Sequence, residues 1–324
     1  MTSEPSPPPR AFSGSRLAWA DLPRTVRTRI ATLAGSDVIS ETSATSGFSP
    51  GYASLLELGS GTRLFVKAVS AEQNPESPVL ARAEARVAAL LPPAVSAPAL
   101  RWWDDDGTWV ILAFEAVEGR SPEQPWRPED LDRVLAALTD LAAAGTPAPD
   151  GLRSVSGDVE AYATGWASLA ADDAALDRAV AAVGPHGAWL RAHLPEIIGW
   201  CDQAPAASAG TTLVHGDLRA DNVMLGPDRV WLIDWPHATV GARWFDLLGM
   251  LPSVAMQNGG DPDPLFWAHP NAVGADRDAV RAVLAALTGY FVHGAVQPPP
   301  LGIANLRAFQ LGQGIAALSW LREL

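Results

Sequence analysis

The 324-residue chain holds one lysine among 23 basic residues, one cysteine, and no apolar run of bilayer length. Each shortage excludes something. A lone Cys201 rules out an internal disulfide and fits a reducing compartment. Without an apolar stretch of roughly 18 residues no transmembrane helix is expected. The Pro- and Ser-rich opening, MTSEPSPPPRAFSGSR, lacks the apolar centre of a secretory signal and reads as a disordered tail over residues 1–16. A cytoplasmic location follows. Positive charge is also short: the formal net charge of −13 argues against a nucleic-acid surface. Neither nucleic acid nor membrane is expected as a partner. Acidity tends to attract cations, which favours amine-bearing ligands, although it also keeps proteins soluble.

The scarcity of lysine makes Lys67 informative, because arginine carries every other basic position. Guanidinium and ammonium differ in shape and hydration, and lysines that bind phosphate act as compact point charges. Lys67 ends the apolar strand pattern Leu64-Phe65-Val66-Lys67. A helix is expected from about Val79 to Leu91, with Leu80, Ala83, Val87 and Leu90 on one face. Glu84 falls on that face and needs a partner if it is buried, and the only lysine is the obvious one. A local pairing with an arginine on the helix surface is the competing reading.

The stretch with most chemistry runs from Leu213 to Asp234, LVHGDLRADNVMLGPDRVWLID. Apolar runs at 212–214 and 230–233 bracket a polar turn with Asp217, Asp221 and Asn222, and Asp234 ends the second run. An unpaired carboxylate at the end of a buried strand is expensive. Three oxygen-bearing side chains, Asp217, Asn222 and Asp234, suit a hard cation and a proton in transit. Taken singly, Asp and Asn are ordinary turn residues, and Gly-Pro-Asp at 226–228 makes a plausible hairpin turn.

His215-Gly216-Asp217-Leu218-Arg219-Ala220-Asp221-Asn222 with Ile233-Asp234-Trp235 resembles the catalytic loop and metal motif of the aminoglycoside phosphotransferase-like small-molecule kinases. That family is similar in fold to the protein kinases. The resemblance implies an α+β, bilobal fold: a small lobe with a five-stranded antiparallel sheet and a helix, then a larger, mainly helical lobe. It implies that Asp217 accepts the proton of an attacking hydroxyl and that Arg219 offsets charge on the transferred phosphoryl group. It further implies that Asn222 and Asp234 hold Mg2+ and that Lys67 with Glu84 orients the phosphates of ATP. Ser46-Gly47-Phe48-Ser49 falls at the nucleotide-positioning loop, although the G-x-G-x-x-G spacing and a Walker A loop are both missing. Backbone groups of Glu115 and Val117 fall at the adenine-binding hinge.

Boundaries follow at 17–115 for the nucleotide-binding lobe, 116–119 for the hinge and 120–324 for the helical lobe with the acceptor site. Expected strands lie near 37–42, 52–58, 63–69, 99–103 and 108–114. Expected helices lie at 21–34, capped by Asp21, and at 128–144, 158–171, 188–201, 244–251, 276–292 and 302–322. Asp246 follows Asp234 by only 12 positions, with no long segment ending in A-P-E, so a peptide-docking platform is missing. The expected partner is a small-molecule hydroxyl acceptor such as an aminoglycoside, amino sugar or amino alcohol, acted on by a monomer or weak homodimer. A role in antibiotic resistance and one in biosynthesis both stay open. The alternatives are a nucleotide-binding pseudokinase scaffold and a protein kinase.

Overall fold

A computed structural model describes Ala11 and residues 16–324. Apart from Ala11 and Arg16, the tail expected over 1–16 lies outside the described residues. Helix α1 (Arg24–Ala34) begins at an N-cap of Pro23 and ends at Gly35, whose φ of 66° suits a residue without a Cβ. Asp21 does not cap it: Asp21 closes a 3-10 turn at 19–21 and accepts from the Ala18 N–H at 2.9 Å. Pro23 stands between the two and lets the helix start only after itself.

Strands β1 (Val38–Ser43), β2 (Tyr52–Leu58), β3 (Arg63–Ser70), β4 (Leu100–Asp105) and β5 (Trp109–Glu115) form one antiparallel sheet in the order β1-β2-β3-β5-β4. Residues 109–114 of β5 are all buried. This run of apolar residues shows no alternation because both faces are covered. Trp109, Ile111 and Ala113 meet Val26 and Ile30 of α1, while Val110, Leu112 and Phe114 meet Ala81 and Ala85 of α2 (Ser77–Ala88). Lys67 pairs across to Ala53 and Leu112 near the centre of this sheet.

The rest of the chain is mainly helical: α3 (Pro128–Ala144), α4 (Ser156–Ala170), α5 (Asp173–Ala182), α6 (Gly187–Cys201) and the short α7 (Ala204–Ala207) come first. Four three-residue strands follow: β6 (Thr212–Val214), β7 (Val223–Leu225), β8 (Val230–Leu232) and β9 (Thr239–Gly241). Then come α8 (Phe245–Met256), α9 (Pro262–Ala268), α10 (Arg277–Ala295) and α11 (Leu306–Leu321). Strand β7 pairs with β8 across the Gly-Pro-Asp turn, and β6 pairs with β9. Together the two parts form the expected α+β architecture of a sheet-bearing lobe on a helical one.

Helix α10 runs through the second lobe between α4 and α11. Its approach to α4 depends on two glycines. A Cβ on Gly165 would lie 2.5 Å from the Gly289 carbonyl, and one on Gly289 would lie 2.7 Å from the Trp166 ring. Trp166 is fully buried and donates its indole N–H to the Ala285 carbonyl at 2.8 Å, fixing the crossing. Among the described residues no helix is long and apolar enough to cross a membrane.

Candidate active site

Between the lobes lies a cleft of about 1070 Å³ lined by Lys67, Glu84, Asp217, Asn222 and Asp234 among others. Its catalytic-type turn leaves β6 at Val214 and immediately becomes tied down. Asp246, in the first turn of α8, accepts the N–H groups of His215 at 2.7 Å and Gly216 at 2.9 Å. Gly216 has φ 84°, and a Cβ there would lie 2.6 Å from the His237 carbonyl, so only glycine fits. His215 is fully buried; its Nε2 donates to the Ile233 carbonyl at 2.9 Å and its Nδ1 accepts from the Asp217 N–H at 3.3 Å. That network assigns the Nε2–H tautomer. Burial pushes the His215 pKa down to about 4, so the ring is neutral at pH 7.

Asp217 thus leaves the turn with its backbone held. Asn222, in the 3-10 turn at 220–222, donates from Nδ2 to the Asp217 carbonyl at 2.7 Å and to its Oδ2 at 3.2 Å. Arg219 Nη1 bonds Asp217 Oδ1. Burial raises the Asp217 pKa above the usual carboxylate value, and the adjacent Arg219 cation works against that rise. Arg219 also grips Asp221, at 3.1 Å from Nε and 3.0 Å from Nη2. Its guanidinium lies 5.5 Å from the Phe48 ring centroid and 5.7 Å from that of Phe309. Two carboxylates and two rings therefore engage Arg219, which positions Asp217 rather than standing free.

Asp234 occupies the left-handed region at φ 67°, a conformation that strains a residue with a side chain. Lys67 Nζ meets Asp234 Oδ1 at 2.7 Å and both oxygens of Glu84 at 2.8 Å. Glu84 on α2 is 4% exposed, and its expected partner is thus the lysine and not a surface arginine. Burial opposes the charge on Lys67, but Asp234 and Glu84 together raise its pKa above the ordinary lysine value. Burial likewise opposes the Asp234 charge, and Lys67 overrides it, holding the carboxyl near a pKa of about 2.

The loop before β2 behaves differently from expectation. Gly47 donates its N–H to the Ala11 carbonyl at 2.8 Å, so that group faces the chain's own segment instead of open cleft. Arg16 donates from Nη2 to the Ser46 carbonyl at 2.7 Å. Phe48 reaches across to Phe309 on α11, 5.2 Å between centroids in an edge-on contact. Ser46 and Ser49 line the cleft beside them. At the hinge the Glu115 N–H bonds the Ala99 carbonyl at 2.9 Å and its carboxylate pairs with Arg101, so neither of these groups is free. Val117 also lines the cleft.

Several cleft residues had no sequence signal strong enough to find them. Arg16 lies in the cleft with a buried Nε that has no hydrogen-bond partner, and Asp234 offsets part of what burial takes from its charge. Tyr162 of α4 and Tyr290 of α10 face each other at 4.9 Å. Conversely, four acidic residues with the right charge to hold an amine lie away from the cleft lining. Asp158 pairs with Arg153, Asp172 caps α5, and Glu160 and Asp173 are exposed. Trp166, Trp189, Trp200, Trp267 and Trp320 also lie outside the lining, in or against the helical core.

The family model described as "Phosphotransferase enzyme family" matches residues 44–283, well over half of the chain. The chain belongs to that family. It is a small-molecule phosphotransferase, and the match covers Lys67, Glu84 and the whole stretch from Leu213 to Asp246. Among solved structures it is similar to an aminoglycoside phosphotransferase from Alicyclobacillus acidocaldarius, at 17% identity and a TM-score of 0.52, covering 94% of this chain and 97% of that one. A thermostable mutant of aminoglycoside phosphotransferase APH(4)-Ia, in ternary complex with ADP and hygromycin B, matches at 16% identity and a TM-score of 0.59, with 92% and 98% covered. A choline/ethanolamine kinase family protein from Mesorhizobium loti matches at 16% identity and a TM-score of 0.51, with 93% and 99% covered. At these identities the likeness is one of fold. No curated protein matches the sequence.

Proposed function

We propose that this phosphotransferase moves the γ-phosphoryl group of Mg·ATP to a hydroxyl of a small molecule, with Asp217 as the proton acceptor. The observation that carries the reading is a single cleft in which Lys67, held by Glu84, faces Asp234 while Asn222 braces Asp217. Similar folds crystallised with ADP and AMP-PNP support a nucleotide in that cleft.

The donors fit magnesium. Asn222 has its Nδ2 tied to Asp217, which leaves Oδ1 as its ligand atom, and Asp234 stays ionised far below neutral pH. Among the described residues no group of three His, Cys, Asp or Glu could hold a metal unaided. Magnesium commonly takes one or two protein ligands together with substrate phosphates and water. When bound it supplies charge neutralisation on the phosphate oxygens.

The chain's own groups do the rest. Lys67 presents an ammonium to the non-transferred phosphates, and Glu84 keeps that ammonium from collapsing wholly onto Asp234. The Glu115 carbonyl and Val117 backbone would receive the adenine edge. Asp217, its pKa raised by burial, takes the acceptor's proton as the hydroxyl oxygen bonds the γ-phosphorus. The bond from that phosphorus to the bridging oxygen breaks, and its electron pair leaves with ADP. Arg219 keeps the Asp217 carboxylate aimed and ionised. Between Asp234 and Asp246 lies only β9 and the entry to α8, which supports a small acceptor over a protein.

The test is ADP release from Mg·ATP across a panel of hydroxylated compounds, with wild type beside Asp217→Asn. Acceptor-dependent ADP release in the wild type that Asp217→Asn loses is expected. Equal turnover in the two proteins would remove Asp217 from the mechanism.

A further inference from the structure

The part of the cleft beyond Asp217, away from Lys67, is built from α4, α10 and α11. Gly165 and Gly289 let α4 and α10 approach closely, and one consequence is that the rings of Tyr162 and Tyr290 meet at 4.9 Å between centroids, tilted by 45°, at the cleft. Both lie within electrostatic reach of the Asp217 carboxylate. Leu287, Phe291, Ile303 and Phe309 line the same region. Burial raises the pKa of both tyrosines, so each remains a neutral phenol with a hydroxyl donor. The polar groups lining the cleft beside them are the amides of Gln310 and Gln313, both at least nine-tenths buried, and behind them Arg307 donates to Gln310 Oε1 at 2.7 Å, adding a cation and no carboxylate.

The carboxylates there all have hydrogen-bond partners already. Asp217 and Asp221 share Arg219, and Asp246 accepts two backbone N–H groups. Asp158, one turn before Tyr162 on α4, pairs with Arg153. The cation nearest the proton acceptor, Arg219, would repel an ammonium brought up to Asp217. A polycationic acceptor placed here would meet only carboxylates already engaged by Arg219 or by backbone N–H groups, so most of its lost hydration would go unreplaced, which is costly. A ring or polycyclic body would instead exchange water for aromatic and aliphatic walls, with phenols and amides to orient it.

Building on the reading of the cleft as a phosphotransferase site, we infer that its acceptor is an uncharged alcohol carried on an apolar, ring-bearing body. The Tyr162–Tyr290 pair is the wall against which that body stacks, and the hydroxyl projects from it to Asp217. The amine-bearing acceptor favoured by net charge alone is thereby set aside, because the acidic residues that produce that charge lie off this wall or are already paired.

The experiment measures binding and transfer separately. The protein saturated with Mg·AMP-PNP is screened by saturation-transfer NMR against neutral alcohols (a phenylalkanol, a naphthylethanol and a macrolide aglycone) beside kanamycin and choline. Neutral alcohols are expected to bind, and Tyr162→Ala or Tyr290→Ala to weaken that binding at least tenfold while nucleotide affinity stays unchanged. Tyr162→Phe should retain most of it if stacking is the main contact. Binding confined to kanamycin or choline overturns the acceptor class and leaves phosphoryl transfer standing, as does neutral binding that both alanine variants leave intact. Absence of binding by every probe also overturns it. Neutral alcohols that bind but receive no phosphate from Mg·ATP would instead strike the proposed function and not the pocket.

Discussion

The two sides of the cleft solve opposite electrostatic problems. Toward the sheet, Lys67, Glu84 and Asp234 bring three formal charges within hydrogen-bond distance at a largely buried site. Toward α10, one cation, Arg219, is shared by Asp217 and Asp221, and beyond it the walls are phenol, amide and hydrocarbon. Buried ion pairs are poor sources of stability, because desolvation consumes most of the Coulomb gain. Two such clusters line this one cleft, Lys67 with Glu84 and Asp234 and Arg219 with Asp217 and Asp221, which is a functional signature, and under the proposed reading the first faces phosphates and the second the acceptor. Asp217 stands on the border between these two environments.

The comparison can be broken most severely at that border. Asp217→Asn should lower kcat by about 100- to 10,000-fold, with little change in nucleotide affinity, as read by steady-state kinetics and calorimetry. On the charged side, Lys67→Met removes the cation that two carboxylates share. A loss of about 100- to 1,000-fold in kcat/KM for Mg·ATP is expected, since the fixed charge that holds the non-transferred phosphates in place disappears. If acceptor affinity fell equally, the two sides would not be independent.

A subtler probe is Arg219→Gln. Arg219 lowers the Asp217 pKa, so its loss lets burial raise that pKa further. The acid limb of the kcat profile should then move to higher pH by about one unit or more. A limb that stays in place while kcat falls would make Arg219 a phosphoryl contact and not a support for Asp217. Arg16→Ala should raise the KM for Mg·ATP by about tenfold, the scale of one hydrogen bond to a charged group, with acceptor KM unchanged. Its Nη2 already bonds the Ser46 carbonyl while its Nε remains unpartnered in the cleft.

The smallest effect on turnover at pH 7 should come from titrating the supporting groups. The folded-state pKa of His215 lies near 4, below the ordinary histidine value, so the unfolded chain binds that proton first. Its contribution to stability is lost as pH falls from about 6.5 to 4. Burial pushes Asp246 up to about 6 against the pull of the Gly216 and His215 N–H groups, so its contribution runs the other way and fades as pH rises from about 4 to 6. The wild type should therefore lose more stability on acidification than His215→Gln does, by on the order of 3 kcal/mol across that window, in denaturant unfolding at stepped pH. Parallel curves for the two proteins would contradict the buried neutral imidazole.

Local pattern made much of the fold readable. Residues 52–58 and 128–144 form the expected strand and helix to the residue, because apolar spacing and a Pro start were strong and unopposed. The five-stranded sheet and helical second lobe also match expectation. Helices α5 and α9 escaped: α5 is ten residues with a buried face made mostly of alanine, Ala175 and Ala179 beside Leu176, and α9 is seven residues opening at Pro262. The pairing of β6 with β9 is a long-range choice between three-residue strands, which no local pattern specifies.

Within the cleft, legibility followed sequence proximity. Asp217, Arg219, Asn222 and Asp234 fall in one stretch and come together, and the lone lysine with an inward-facing Glu84 pointed across 17 residues. Tyr162 and Tyr290 meet across 128 residues of sequence only because two glycines allow two helices to touch. Arg16 enters the cleft from beside the Pro- and Ser-rich opening, where composition argues for no structure at all. Gly47 falls at the nucleotide-positioning loop by resemblance, and the carbonyl its N–H meets, that of Ala11, comes from that same opening.

The most direct test of the account follows phosphorus itself. Mg·ATP and a neutral ring-bearing alcohol would be incubated with the protein and monitored by 31P NMR. The account predicts a phosphomonoester resonance that grows in step with ADP and fails to appear with Asp217→Asn. Inorganic phosphate as the sole product, or a phosphomonoester formed as quickly by Asp217→Asn, would contradict it.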